Sequence, residues 1–363
     1  MNPTLEAALR SWPFDPWLLA ALSITAAIYL RGWLSLRRRD PWRWRRGRLA
    51  AFFIGLTAIY LALASPIEPF SAFLLTAHML QHLLLMMVAA PLVWLGAPLV
   101  PLLRGLPRPI RAVWIAPLFR SRSIRFALAR LTNPGTALAL FVAATWLWHL
   151  PAAYDLALRL NGWHYLQHTC FFATALVFWY PVIRPYPDRS RRSDWLLLPY
   201  LLAADLQNTI LSALLAFSSR PLYPYYLQVP RLSGISAEQD QAIAGVTMWL
   251  VGSLAYLAPL VWIGIRLLYG DRPFSPMRVP APIRPAQHSP RRPTTGAFDL
   301  LRLPVLGRFL KSPHARLALQ LPLSVLAILI IVDGLFGPQV GAMNLAGVLP
   351  WIHWRGLVVL GLL

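Results

Sequence analysis

The sequence predicts an all-α polytopic membrane bundle: a seven-span core with its N-terminus outside, followed by an appended C-terminal span. Three observations carry that prediction. Hydrophobic residues make up 57% of the 363 and charged residues only 13%, with a mean hydropathy of +0.53. Several runs reach about 20 apolar residues, the length that crosses a bilayer. The formal net charge of +21 falls between those runs rather than along the whole chain. Residues 31–48, 104–130, 184–192 and 266–316 hold 29 of the 34 basic residues. These are alternate loops, so the positive-inside rule sets them in the cytoplasm and the N-terminus outside. In a soluble protein such a charge would point to nucleic acid; here topology accounts for it, and the expected surroundings are lipid.

The expected spans are 17–36, 49–66, 72–101, 135–151, 163–183, 195–217 and 241–268. Glu6 and Arg10 precede the first run and a basic cluster follows it, which fits a retained span better than a cleaved signal. The third run is long, and its tail from Pro91 to Pro101 is expected to leave the helix early, because proline interrupts the hydrogen-bond ladder. Residues 1–270 form the core. Residues 271–312 read as an extended cytoplasmic linker, since seven prolines fall between 271 and 293 without any apolar period. Residues 313–363 hold the appended span near 316–336. The run from Trp351 to Leu363 is too short to cross, and we expect that the sequence is a truncated form of something longer.

Within this frame one pattern stands out. His78-Met79-Leu80-Gln81-His82 in the third span returns as His164-Tyr165-Leu166-Gln167-His168 in the fifth. Residues four apart share one face of a helix. Both spans run inward from the outside, and the fourth ends outside at Trp146-Leu147-Trp148-His149, so five of the eight His fall in one leaflet. Gln81 and Met86 flank the His78/His82 stripe, and Asp240-Gln241 opens the seventh span at the same level. Asp205 and Asn208 in the sixth span lie deeper and read as inter-helix glue. The single cysteine, Cys170, excludes an internal disulfide and any Cys-x-x-Cys metal site.

Three chemistries compete for the histidines. A zinc hydrolase of the His-Glu-x-x-His kind needs a carboxylate beside its first His, and Met79 and Tyr165 stand there instead. One haem held by two spans would leave two His unexplained. Copper accepts imidazole and thioether, and uncharged ligands suit a low-dielectric setting. No nucleophile, phosphate-binding loop or nicotinamide site is legible, so binding or delivery, rather than enzymatic turnover, is the expected role. A haem-binding protein and a metal-free scaffold remain the alternatives.

His78 to Met86, continuing through Pro91 and Leu95-Gly96-Ala97-Pro98, resembles the signature of the CtaG-type cytochrome c oxidase assembly factors. So do Trp148-His149-Leu150-Pro151 with Tyr154, the Leu166-Gln167-His168 stretch, and Asp240-Gln241 with Ala244-Gly245 and Met248-Trp249. The segments come in the family's order over roughly residues 17–270. The resemblance implies a seven-span inner-membrane protein that helps to assemble a haem–copper oxidase, with copper supply to its binuclear centre as the role. Oxidase subunits, and periplasmic copper chaperones, are the partners it implies. On this reading His78, His82, His164 and His168 are the expected ligands, with His149 and Met86 as further candidates. Asp240, Gln81 and Gln167 are expected to orient them from behind, as outer carboxylates and amides orient metal-bound imidazoles.

Overall fold

The computed structural model describes residues 10–188, 193–231 and 234–269, and among them every regular element is helical. The linker expected at 271–312 and the appended span at 313–363 lie outside the described residues. Helix α1 covers Pro16–Arg37. It starts there because Asp15 accepts hydrogen bonds from the Trp17 and Leu18 N–H groups and Pro16 takes the first helical position, where no N–H is needed. Helix α2 follows at Arg46–Ala64, then a short α3 at Ile67–Ser71.

Helix α4, Leu75–Leu95, departs from the expectation for 72–101. The chain does not leave the helix at Pro91. Instead Leu84–Ala89 widen into a π turn, in which Ala90 N–H donates to Leu85 one residue further back than the α ladder would require. In that register the partner that Pro91 lacks is the Met86 carbonyl. The Trp179 indole N–H fills it from a neighbouring helix at 2.8 Å, so the proline leaves no orphan acceptor. The helix ends at Gly96-Ala97, where Ala97 turns into the left-handed region at φ 48°, and a separate α5, Leu99–Gly105, packs back on α1.

Helix α6, Arg122–Leu131, carries Arg122, Arg125 and Arg130 beside the exposed Phe126 and Leu128, a mix typical of interfacial helices. It meets α7, Pro134–His149, at a bend of 68°. At 16 residues α7 rises about 24 Å, short of the roughly 30 Å hydrocarbon core. Among the described residues six helices are each long and apolar enough to cross a membrane, or seven where the bent pair counts as one span; the chain is a multi-pass helical membrane bundle.

Apart from short helical turns within 108–120, 194–196 and 225–228, the elements that follow are α8, Pro151–Arg159; α9, Asn161–Ile183; α10, Leu197–Phe217; and α11, Ala237–Tyr269. The antiparallel α10 and α11 approach so closely that a Cβ on Gly245 would stand 2.8 Å from the Ser212 carbonyl oxygen, and one on Gly252 would collide with Asn208. Small residues at such crossings let polar groups bond across in lipid. Asn208 donates to the Met248 carbonyl at 3.4 Å and Ser253 to Asp205 at 2.7 Å. Asp205 and Asn208 are therefore glue, as read from the sequence.

The two ends of the bundle differ in chemistry. At one end Arg184 and Arg266 close on Asp194 at 2.5 and 3.3 Å. At the other, the segments after α3, α7 and α10 interlock through tyrosines. Tyr226 donates to the Ser71 carbonyl at 2.8 Å and Tyr223 to the His149 carbonyl at 3.2 Å, while the rings of Tyr154 and Tyr223 stack with centroids 4.0 Å apart.

Candidate metal centre

Helices α4 and α9 bring the two His-x-x-Gln-His copies together. They run side by side in the same direction, stitched by the Trp179 bond and by Trp94 N–H to the Leu176 carbonyl at 2.7 Å. Each helix begins three residues before its first His, at Leu75 and at Asn161. At 1.5 Å per residue both pairs therefore start about 4–5 Å below their helix ends and finish about 10 Å below.

The four imidazoles cluster, His82 edge-on to both His78 and His168 and the other pairs tilted. Ring centroids of His78 and His82 are 4.4 Å apart, those of His164 and His168 4.3 Å. Across the helices the separations are 5.1 Å for His78–His164, 6.0 Å for His78–His168 and 5.2 Å for His82–His168. One ring nitrogen from each of His78, His82 and His168 lies within 4.8 Å of the other two. Three nitrogens about 2.0 Å from one metal ion sit roughly 3.5 Å apart, so small rotations of the rings would close the set. His78, His82 and His168 are buried, while His164 sits half-buried at the rim.

The ring nitrogens are conspicuously idle. Nδ1 of His78, both nitrogens of His82, and Nε2 of His164 and His168 are buried without a hydrogen-bond partner among the described residues. Buried polar atoms in a protein are nearly always paired, and five idle ones in a single layer mark a place built for something that accepts lone pairs. Gln167 supplies the one direct contact from behind: its Oε1 stands 3.3 Å from His78 Nε2. An amide oxygen only accepts, so that nitrogen carries the proton and Nδ1 keeps the lone pair.

Two residues expected to orient the ligands do other work. Asp240 bonds to the start of α4: its carboxylate accepts from Leu75 N–H at 2.6 Å, Thr76 N–H at 3.1 Å and the Thr76 hydroxyl at 2.7 Å. Leu74 occupies the cap position and has no side-chain acceptor, so Asp240 caps the helix from 165 residues away, where a negative charge is favoured by the helix dipole. Gln81 points away from the His layer, donating to the Ala62 carbonyl at 2.8 Å and to the Glu68 carboxylate. Burial raises the Glu68 carboxyl above its ordinary value, and the Gln81 hydrogen bond opposes that rise. Of the three, Gln167 alone contacts a ring of the His layer.

His149 and Met86 stand apart from the four imidazoles. The ring of Phe171 lies between, 4.5 Å from His82 and 5.9 Å from His149. On the far side, a cavity of about 20 Å³ is lined by His82, His149 and Met86 among others. Tyr154 was the neighbour that sequence gave no reason to expect over the layer: its ring covers His78 at 5.1 Å, and burial holds its hydroxyl well above its ordinary pKa.

With this geometry in hand, relatives can be placed. A family model described as cytochrome c oxidase caa3 assembly factor matches residues 27–269. Proteins of Mycobacterium bovis and Mycobacterium tuberculosis, each named only as uncharacterized, are 30% identical over 285 residues, covering 74% of this chain and 41% of theirs. A Mycobacterium leprae protein, likewise uncharacterized, is 25% identical over 274 residues, covering 71% of this chain and 40% of its own. The chain thus spans about two fifths of the length of the curated relatives it matches. No solved structure matches it.

Proposed function

This chain belongs to the cytochrome c oxidase caa3 assembly factor family, and from that premise we propose that it holds copper, as Cu(I), for delivery to the oxidase. His78, His82 and His168 are the ligands of this reading, with His164 as a fourth at the rim, through which the ion enters and leaves. The observation that carries it is the layer of idle, buried ring nitrogens on three imidazoles within reach of one ion. Imidazole suits copper, and an uncharged ligand set adds no buried carboxylate to desolvate. Gln167 fixes the tautomer of His78 and so aims its lone pair.

Haem is the weaker reading on geometry. The four rings pack on one another and on Tyr154 and Phe171, and the cavity beside His82 measures about 20 Å³. That is space for an ion or one water rather than for a macrocycle. The protein acts here as a carrier rather than a catalyst, with the oxidase subunits as its partners and periplasmic copper chaperones as its source. On this reading the Arg-rich loops stay in the cytoplasm by the positive-inside rule, with the His layer toward the outer face of the cytoplasmic membrane and the N-terminus outside.

The test is a Cu(I) titration of detergent-purified protein against a chromophoric chelator, paired with oxidase copper content in cells. Wild-type protein is expected to take up Cu(I), and His78→Ala/His168→Ala protein to lose that uptake and leave the oxidase short of copper. Normal oxidase copper in that double variant overturns the reading. A visible haem absorption band in wild-type protein that disappears with His82→Ala would replace it with the haem alternative.

A further inference from the structure

Four methionines fall within the described residues: Met79, Met86, Met87 and Met248. All four are buried, and all four line one cavity of about 20 Å³. Three come from α4 and one from α11, so sequence proximity alone does not gather them. The same cavity is lined by His82 and His149. Nδ1 of His149 lies 2.7 Å from the Thr145 carbonyl. A carbonyl only accepts, so Nδ1 carries the proton and Nε2 holds the lone pair. That Nε2 is buried and has no partner among the described residues.

We propose that this cavity is a second metal site, selective for a soft monovalent cation, with the thioethers of Met86, Met87 and Met248 and Nε2 of His149 as its ligands. The proposal goes beyond the His layer and does not depend on it, since it uses a different donor set behind Phe171. The chemistry of the donors carries the selectivity. Thioethers are soft and uncharged, so they favour Cu(I) or Ag(I) over Zn(II) and over hard cations. The volume is that of one probe sphere, right for a bare ion and too small for a hydrated one. Met79 closes the wall next to His82. His82 belongs to both places, with both of its ring nitrogens idle, and so stands as the step between them. An ion moving from the first site to the second would exchange imidazole for thioether donors without leaving the low-dielectric interior.

The bland alternative is that the methionines only pack and that a water bonds to His149. Titration of the full-length protein in detergent with Ag(I), and separately with Cu(I) under anaerobic reducing conditions, decides between them. Wild-type protein is expected to bind two equivalents of either ion. Met86→Leu/Met248→Leu and His149→Gln should each bind one, with Leu chosen because it conserves volume and a thermal melt recording that the fold persists. His78→Ala/His168→Ala should also bind one, the equivalent that remains being the thioether one. An X-ray absorption spectrum of that last variant loaded with Cu(I) should contain sulfur scatterers, since no other site is left. A folded methionine double variant that binds as many equivalents as wild type overturns the second site, and so does a wild-type protein whose bound Cu(I) shows no sulfur scatterers. Loss of the His-layer equivalent alone would instead count against the carrier reading above and leave this one standing.

Discussion

Two stretches spelled alike, His78-x-x-Gln81-His82 and His164-x-x-Gln167-His168, enter the bundle at the same depth and on parallel helices, yet they are treated differently by their neighbours. The first is sealed: His78, Gln81 and His82 are all 3% exposed or less, its helix start is capped by Asp240, and its glutamine is spent on Ala62 and Glu68. The second is half open: Leu160 caps it with no side-chain bond, Tyr165 and Leu166 face outward, and its glutamine reaches across to His78. A short string therefore sets which side chains share a face. Which of them becomes a ligand, an orienter or a fastening is set by what packs behind.

That contrast can be broken in four ways, taken from the largest expected effect down. His82→Ala removes a buried ligand from the sealed copy and should weaken Cu(I) binding by more than about 100-fold, since even outer-shell changes cost about 10–100-fold. His164→Ala, at the open rim, should cost less; equal losses in the chelator competition would erase the distinction. Next, Gln167→Leu should weaken Cu(I) binding by about 10–100-fold by freeing the His78 tautomer. Gln81→Leu should leave affinity intact and instead destabilise the fold by about 1–3 kcal/mol, the cost of unpaired buried acceptors, read as a lower melting temperature. Third, Asp240→Ala should cost about 1–2 kcal/mol through the lost cap, and Asp240→Asn, which keeps an acceptor, should recover part of it.

The smallest effect is a pH dependence. Burial raises Glu68's carboxyl pKa in the folded state, so the folded chain binds more protons than the unfolded one between the two values. Its contribution to stability is full below the ordinary carboxylate pKa and is lost as pH rises through the raised value. Glu68→Gln should flatten that decline in melting temperature across the acidic range. An unchanged slope would assign it to another group.

Much of the fold was legible because its determinants are local in sequence. Apolar run length located the crossings, while the 68° bend where α6 meets α7 had no counterpart in that reading. Matching spacing on parallel spans put the two His pairs in one leaflet, while their facing each other is set by how α4 and α9 pack. What stayed hidden depended on contacts made far along the chain. Nothing near Leu74 says that its missing cap is supplied by Asp240, and nothing near His149 says that its ring will pack on Phe171 and share a cavity with His82. Pro91 misled for a related reason. A proline costs a helix one hydrogen bond and crowds the turn before it; here the π turn widens that turn and Trp179 meets the freed carbonyl from another helix.

The π turn at Leu84–Ala89 also has a consequence for how the span is inherited. It amounts to one residue more than the α ladder needs, and one residue rotates everything downstream by about 100°. With it, the face that bears His78 and His82 above and the face that seats Trp94 on Leu176 below both point at α9. Deleting any single residue between 84 and 89 would yield a more regular helix whose two halves disagree about where their neighbour is. Length in this segment is therefore constrained apart from identity: whichever side chains it carries, its residue number is fixed by two contacts on opposite sides of it.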